Sequence, residues 1–327
     1  MRPSPPQAGF ERHMLKYIGK RLLGLIPVLL GVSILVFLIM QLTPGDPALI
    51  MLGPKATATE LATIRHQLGL DLPIWQQYLR WITNIFRGDW GYSIHYKQPV
   101  LDLILQRFGA TMLLTAAAMI IATVFGVLAG VVSATRQYSF ADRFMMTASL
   151  VGFCLPVFWL GLILQLFFGI RLGWLPVSDM HSPGVTALGD TLLHLILPAF
   201  TLAIASMATI ARMTRSSMLE VTRQDFIRTA KAKGVSKHNI AYKHALRNSL
   251  IPVITVVGSQ FGYLLSGEVL LEVVFNWPGL GSLMVSGILY RDFPLVQGTI
   301  LFVATVYVLV SLGVDLLYAA FDPRITY

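Results

Sequence analysis

Apolar positions in this chain fall into long uninterrupted runs, without the two-residue alternation of a half-buried strand. Residues 22–42, 110–134, 144–170, 192–211, 250–271 and 297–320 each supply the roughly 20 predominantly apolar residues that a helix needs to cross about 30 Å of hydrocarbon. The pattern predicts an all-α, polytopic membrane protein with six transmembrane helices. Pro156, Pro198 and Pro252 fall inside the third, fourth and fifth stretches. In lipid a proline's lost hydrogen bond is tolerated where neighbouring helices re-satisfy the backbone, so these spans are expected to be packed and kinked. The first stretch is too long for a signal-peptide core. Thr43-Pro44-Gly45-Asp46-Pro47 follows it in place of a small-residue cleavage site, so it is expected to stay attached.

Between the first two spans, residues 43–109 read as a small cap. Thr57 or Thr59 is placed to cap a helix running to Leu68, with Gly69 at the left-handed stop. Pro73 opens a second helix over 74–86, whose Trp75, Tyr78, Leu79, Ile82 and Ile85 share an apolar face. Gly88-Asp89-Trp90-Gly91 reads as a turn. Trp75, Trp81, Trp90 and Tyr92 are open to two readings, an aromatic belt at the lipid headgroups or a docking surface for a soluble partner. Residues 1–13 are Pro-rich and polar and read as a disordered arm, and Met14 opens a first transmembrane helix over 14–42.

Composition and charge sharpen the picture. Of 327 residues, 55% are hydrophobic and 13% are charged, against roughly 25% charged in a soluble domain. That excludes a cytosolic globular enzyme, a disordered chain and a coiled coil. The net charge of +9 suggests nucleic acid until its placement is counted. With the N-terminus inside, segments 1–21, 135–143, 212–249 and 321–327 hold 17 Lys and Arg, nine of them in 212–249, whereas segments 43–109, 171–191 and 272–296 hold 8. Basic residues gather on the cytoplasmic side, and long exported segments such as 43–109 weigh little in that bias. Both termini are therefore expected in the cytoplasm with 43–109 exported, and no nucleic-acid partner is implied. The one cysteine, Cys154, lies in an apolar run, which leaves no intrachain disulfide and no cysteine metal cluster.

The cytoplasmic loop 212–249 carries helix signals of its own. Asp225 is placed to cap a helix with Phe226, Ile227 and Ala230 on one face. Lys231 and Lys233 sit in its last turn, where cations suit the dipole, and Gly234 stands at the stop. Ser236 then caps a second helix through Ile240, Ala241, Ala245 and Leu246 into the fifth span. So short an apolar face cannot form a domain alone and should bury against something else. A plain positive-inside loop is the alternative that these residues leave open.

The run Asp225-Phe226-Ile227-Arg228-Thr229-Ala230-Lys231-Ala232-Lys233-Gly234, with His244-Ala245-Leu246-Arg247-Asn248 after it, resembles the EAA loop of ABC importer permeases. The likeness covers nearly the whole chain from Met14. It takes in Pro44-Gly45-Asp46-Pro47, Leu68-Gly69-Leu70-Asp71, Gly88-Asp89 with Gly91 and Ser93, and Thr214-Arg215-Ser216-Ser217-Met218-Leu219-Glu220-Val221. Asn276-Trp277-Pro278-Gly279-Leu280-Gly281, Arg291-Asp292-Phe293-Pro294 and Asp315-Leu316-Leu317-Tyr318 complete it. The chain is similar to the B-type permease subunit of dipeptide, oligopeptide and nickel importers. Arg228 and Thr229 stand where the general pattern has Glu and Ala, and Arg247 where it has Pro, departures that this branch shares.

The resemblance implies a type I, MetI-like permease fold in a bacterial cytoplasmic (inner) membrane, with a five-helix core over 110–327. It implies a coupling helix that docks into a groove on the ATPase subunit, with Asp225, Arg228, Thr229, Ala230, Lys231, Lys233, Gly234, Val235, Ser236, His244 and Arg247 as the coupling residues. The partners it implies are a homologous C-type permease, two ABC ATPase subunits and an exported substrate-binding protein. No catalysis and no cofactor are expected in this chain, because the partner ATPases bind ATP and Mg. Dipeptides or short oligopeptides are the expected cargo, followed by glutathione-like peptides and nickel chelates.

The residues also bear on chemistry. The Gly-x-x-x-x-Gly-Lys-Ser/Thr phosphate loop is absent, as are the His-Glu-x-x-His and EF-hand spacings. Gly91-Tyr92-Ser93-Ile94-His95 ends in His where a nucleophile elbow needs Gly. His181 and His194 flank the fourth span, either as ordinary interfacial residues or as a metal pair. Polar groups within spans usually face a bundle interior or watery cavity. Gln165, Ser259, Gln260, Ser266, Glu268 and Gln297 therefore mark a translocation pathway, with a hydrated outer interface as the other reading of Glu268. Asp315 is placed to pair with Arg324, and Gly258, Gly262 and Gly267 are as readily explained by close helix packing. The rival is a nucleotide-independent secondary transporter, which predicts repeated, broken spans and intramembrane ion pairs.

Overall fold

The computed structural model describes residues 7–43, 45–185, 187–265 and 269–321. Its helices in chain order are α1 (Gln7–Leu42), α2 (Pro47–Leu52), α3 (Ala58–Leu68), α4 (Ile74–Phe86), α5 (Val100–Thr135), α6 (Phe140–Cys154) and α7 (Val157–Leu164). After these come α8 (Leu188–Thr222), α9 (Asp225–Ala232), α10 (Lys237–Asn239), α11 (Arg247–Leu265), α12 (Val269–Val274), α13 (Leu280–Leu289) and α14 (Phe293–Phe321). Wider π-helical turns extend α7 over Gln165–Arg171 and join α10 to α11 over Ile240–Leu246. The described residues form no strand, only a bridge between Tyr92 and Pro99. Among the described residues five helices are long and apolar enough to cross a membrane, and the bent pair α6–α7 makes a sixth if counted as one span.

The described residues form two compact units, one within 7–109 with 279–312, the other within 110–278 with 313–321. The block expected over 110–327 is thus divided. Leu280, Leu283 and Leu295 share a buried core with Val100, Leu103 and Ile104, which draws 279–312 into the first unit.

In that first unit, α1 begins at Gln7, within the arm expected to be disordered; the proline cluster ends at Pro6 and no further proline occurs until Pro27. Residues 1–6 lie outside those described. Ser33, Val36 and Phe37 are buried on α1, while Leu23, Ile26, Leu35 and Leu38 remain exposed, as suits hydrocarbon. Ser33 shares a 2.8 Å hydrogen bond with the Tyr78 hydroxyl, and Phe37 packs edge-on to Tyr78 and beside Trp81. The apolar face expected on α4 therefore splits, with Tyr78 turned to α1 beside Trp81, a residue outside the expected face, while Trp75 and Leu79 stay exposed. Thr57, not Thr59, caps α3, in a full capping box with Glu60. Gly69 closes that helix at φ 70°, where Leu70 N–H reaches Arg65 O and Gly69 N–H reaches His66 O. The buried carboxylate of Asp292 caps α14 at Leu295 N–H and accepts from the Ser93 hydroxyl and His95 N–H, tying the segment after the 88–91 turn to that helix.

Asp46 caps α2 and pairs with Arg65 at 2.5 Å. The Arg65 guanidinium, helped by Ala48 N–H, holds the Asp46 carboxyl below its ordinary value. A depressed folded-state pKa stabilises the fold above the ordinary carboxylate range near 4, and that stabilisation is lost as pH falls through the lower folded value. Solvent screens the pair, so its contribution stays below about 1 kcal/mol. Arg65→Gln is expected to lower the neutral-pH melting temperature slightly and to flatten the acid limb, so that variant and wild type converge below about pH 4. An unaltered acid limb would refute this assignment.

In the second unit, α8 is the most buried of the long apolar helices. The third span departs from the expectation of a kinked helix: α6 and α7 meet at 106°. Leu155 is extended at φ −75°, ψ 134°. A residue before proline avoids the α region, so Pro156 ends one helix and starts another. Pro198 and Pro252 instead sit inside α8 and α11 without breaking them. Trp277 is fully buried and its indole N–H donates to Ala110 O at 2.9 Å, while the Thr111 hydroxyl donates to buried Glu272 at 2.8 Å. Gly258 faces Val314 so closely that a Cβ would stand 2.4 Å from its Cγ1, which makes it a packing glycine. Gly267 lies outside the described residues.

Candidate functional site

The 212–249 segment folds as two short helices around a glycine. The chain stays extended through Gln224 (φ −74°, ψ 152°), so Gln224 is the cap residue of α9 and makes no side-chain cap bond. Asp225, expected at the cap, is the first helical residue. It acts through its charge at the helix N-terminus and through a 3.3 Å pair with Arg228. At the other end Gly234 takes φ 75°, with Gly234 N–H bonded to Lys231 O at 3.0 Å and Val235 N–H to Ala230 O at 3.2 Å. This two-bond closure satisfies carbonyls that the helix end leaves free. A Cβ on Gly234 would meet nothing within 4 Å, so the demand for glycine is purely conformational. The Ser236 hydroxyl accepts from Asn239 N–H and starts α10, which widens into the 240–246 π turn before α11.

Burial separates the loop's two faces. Ile227 and Ile240 are buried, and Ala245 joins a core with Val131, Met218 and Val221 at the ends of α5 and α8. Arg228, Thr229, Lys231, Lys233, Gly234, Ser236 and Arg247 are exposed, whereas Ala230, Val235 and His244 are half-buried. Phe226, expected on the buried face with Ile227, is instead 41% exposed among these cations. The loop is held by its buried residues and leaves Phe226 exposed along with most of its cations.

Beside that anchor lies a cluster that sequence reasoning missed. Asp142 of α6 is 3% exposed and receives a two-pronged bond from Arg215 of α8, Nε at 2.8 Å and Nη2 at 2.9 Å. The Ser133 hydroxyl of α5 and Tyr138 N–H donate to the same carboxylate. Only Arg215 stood out in the sequence, as part of a family-like run; nothing there linked it to an aspartate 73 positions earlier.

The residues expected to line a pathway are distributed as follows. Gln165 spends its amide on Val177 O and Val274 O, at 2.6 and 3.1 Å, and so braces two connecting segments. Gln260 accepts from Ser206 on α8 at 2.9 Å, and exposed Ser259 bonds back to Thr255 O. Gln297 belongs to the first unit and lines a cavity of about 370 Å³ with Phe37, Trp81, Trp90 and Phe293. Ser266, Glu268 and Arg324 lie outside the described residues. His194 Nδ1 bonds to Asp190 O and His181 Nδ1 to Thr191 Oγ1, and among the described residues no three His, Cys, Asp or Glu converge on a metal site.

With the loop and its supports placed, comparison with known proteins is informative. Residues 126–327 match the family described as binding-protein-dependent transport system inner membrane component, and residues 14–115 match its N-terminal membrane-component model. The chain belongs to this family. The permease is 45% identical over 314 residues to the glutathione transport system permease protein GsiC of Escherichia coli strain K12, covering 96% of this chain and all of that one. It is 46% identical over the same coverage to GsiC of Salmonella paratyphi A. Its fold is similar to that of a chain in the inward-facing MetNI methionine ABC transporter, with TM-score 0.56 and 16% identity over 67% of this chain and 96% of the other. The permease is thus a multi-pass inner-membrane transport component of an ABC importer with the MetI-like helical fold.

Proposed function

We propose that this permease forms half of the pore of an importer for short peptides, with glutathione-type tripeptides ahead of dipeptides and nickel chelates. The observation that carries this is 45–46% identity across the full length of relatives named as glutathione transport permeases. It exchanges the first two cargoes in the order that the sequence alone suggests and leaves nickel chelates last. A homologous C-type permease forms the other half, two ABC ATPases drive the cycle, and an exported binding protein delivers substrate and sets much of the selectivity. The chain itself contributes no catalytic step.

The exposed face of α9 and the turn through Ser236, with Asp225, Arg228, Thr229, Lys231 and Lys233, seats in the ATPase, while Ile227, Ala230, Val235, His244 and Arg247 serve as its mount and hinge to α11. The segregation of bulk burial beneath and charge above supports this. Both termini and the loop lie in the cytoplasm, as the 17-to-8 distribution of Lys and Arg supports. The cap faces the binding protein, and Gln165, Ser259, Gln260, Ser266, Glu268 and Gln297 contribute to the pathway. Closure of the ATPase dimer moves the loop and switches the paired permeases between two packed states.

The α6–α7 break is also a feature of the secondary-transporter reading, so dependence on ATP is the discriminating property. Proteoliposomes holding the complete complex should hydrolyse ATP fastest with glutathione-loaded binding protein, more slowly with a dipeptide, and least with a nickel chelate. Stronger stimulation by the dipeptide would reorder the cargo, and uptake without ATP would overturn the importer cycle.

A further inference from the structure

The coupling reading leaves open how a push on the loop reaches helices that the loop does not belong to. We propose that Asp142 and Arg215 are positioning residues for transport: together they lock α5, α6 and α8 into one body at the base of the loop, so that its displacement moves all three. The inference rests on the assignment of residues 225–248 as the coupling element.

The geometry is that of a rigid joint. Each Asp142 oxygen is doubly used, Oδ1 by Arg215 Nε and the Ser133 hydroxyl, Oδ2 by Arg215 Nη2 and Tyr138 N–H. The donors come from α8, from α5 and from the α5–α6 turn, so one carboxylate joins three elements. Tyr138 adopts φ 66°, a conformation that non-glycine residues rarely take, and its N–H is held by that carboxylate. The Ser139 hydroxyl caps α6 by accepting from the backbone N–H of Asp142 itself.

The joint also lies next to the loop's anchor. Ser133 is two residues beyond Val131 on α5, and Arg215 is one helical turn before Met218 on α8; Val131 and Met218 form the core that receives Ala245. One turn earlier, Arg212 lies over the Phe153 ring at 4.8 Å, a second α8–α6 link. From there α6 leads into the 106° bend and α7.

The chemistry favours orientation over stability as the role. A buried ion pair gains little over an apolar pair of the same volume, because desolvation offsets much of the attraction. What a guanidinium fork on a carboxylate provides is fixed relative geometry, and a lysine cannot reproduce it.

The test uses the complete complex in proteoliposomes and reads three quantities: ATPase subunits retained on purification, ATP hydrolysed, and substrate moved per ATP. Arg215→Lys keeps the charge and loses the fork. It is expected to retain the ATPases and hydrolyse ATP near the wild-type rate, while substrate moved per ATP falls about tenfold. Ser133→Ala leaves the ion pair in place and loosens only α5, and is expected to lower the ratio by a smaller factor. This second variant carries the test if Arg215→Lys does not assemble. An unchanged ratio in both assembled variants, or hydrolysis and uptake falling in parallel, assigns the pair a purely structural role and overturns the proposal. Failure of the wild-type chain to retain the ATPases would instead overturn the coupling reading on which it rests, a result visible before any variant is made.

Discussion

Gly130→Leu in α5 is expected to abolish the folded permease. A Cβ at this position would stand 2.5 Å from Thr214 Cβ and 2.7 Å from Ala211 O, and one turn earlier a Cβ on Gly126 would stand 2.9 Å from Met207 O. Two of these neighbours are backbone carbonyls of α8, which cannot swing aside as a side-chain tip can. Small residues four apart let two membrane helices approach until their backbones touch. Forcing a leucine between them should cost about 3 kcal/mol or more, beyond ordinary overpacking because the whole helix must move. The effect should appear as loss of monodisperse protein in detergent and a large drop in melting temperature. Gly31→Leu is the control, since a Cβ there meets nothing within 4 Å, and it should melt like wild type. A wild-type melt for Gly130→Leu would contradict the close α5–α8 crossing.

Gly234→Val should leave the protein folded and remove its transport. The left-handed backbone at φ 75° costs an L-residue roughly 1–2 kcal/mol, and a β-branched residue more. Open space around the Cβ means that no clash adds to this. The strain is relieved locally by giving up the Val235–Ala230 and Gly234–Lys231 bonds, which frays α9 and turns its exposed face away from its partner. Uptake is expected to fall about tenfold or more, with the melting temperature of the helical core unchanged. Side-chain tolerance of the left-handed region then orders the series: Gly234→Asn should retain the most transport, Gly234→Ala less, and Gly234→Val least. Wild-type uptake by the valine variant would show that the loop's shape does not matter to coupling.

Local rules made much of the fold legible. The six apolar stretches were visible from length and composition alone. Thr57, Gly69 and Pro73 mark α3 and α4 because a cap, a left-handed stop and a helix start act within one or two turns. Gly234 and Ser236 were readable on the same grounds. What remained hidden depended on distant partners or on small energy differences. Leu155 is biased away from the helix by Pro156, but Leu197 and Ile251 precede prolines too, and nothing local shows that only the first of these three spans would break. Gln224 and Asp225 compete for one cap position, and the sequence does not show where the extended chain ends. Phe226 and Ile227 are equally apolar, yet only the shape of the loop's seat decides which is buried. The grouping of 279–312 with the cap arises from Leu280, Leu283 and Leu295 sharing a core with Val100 and Ile104, residues far removed in sequence. Asp142 was invisible as a site for the same reason: its partner Arg215 is remote in sequence.

The central claim is that the face of α9 carrying Phe226 is gripped by the ATPase. A photoreactive benzoylphenylalanine in place of Phe226, irradiated in membranes holding the complete complex, tests it most directly. The account predicts a covalent adduct between the permease and the ATPase subunit, strengthened when ATP closes the ATPase dimer. An adduct with the exported binding protein, or none with the ATPase under any nucleotide condition, would contradict it.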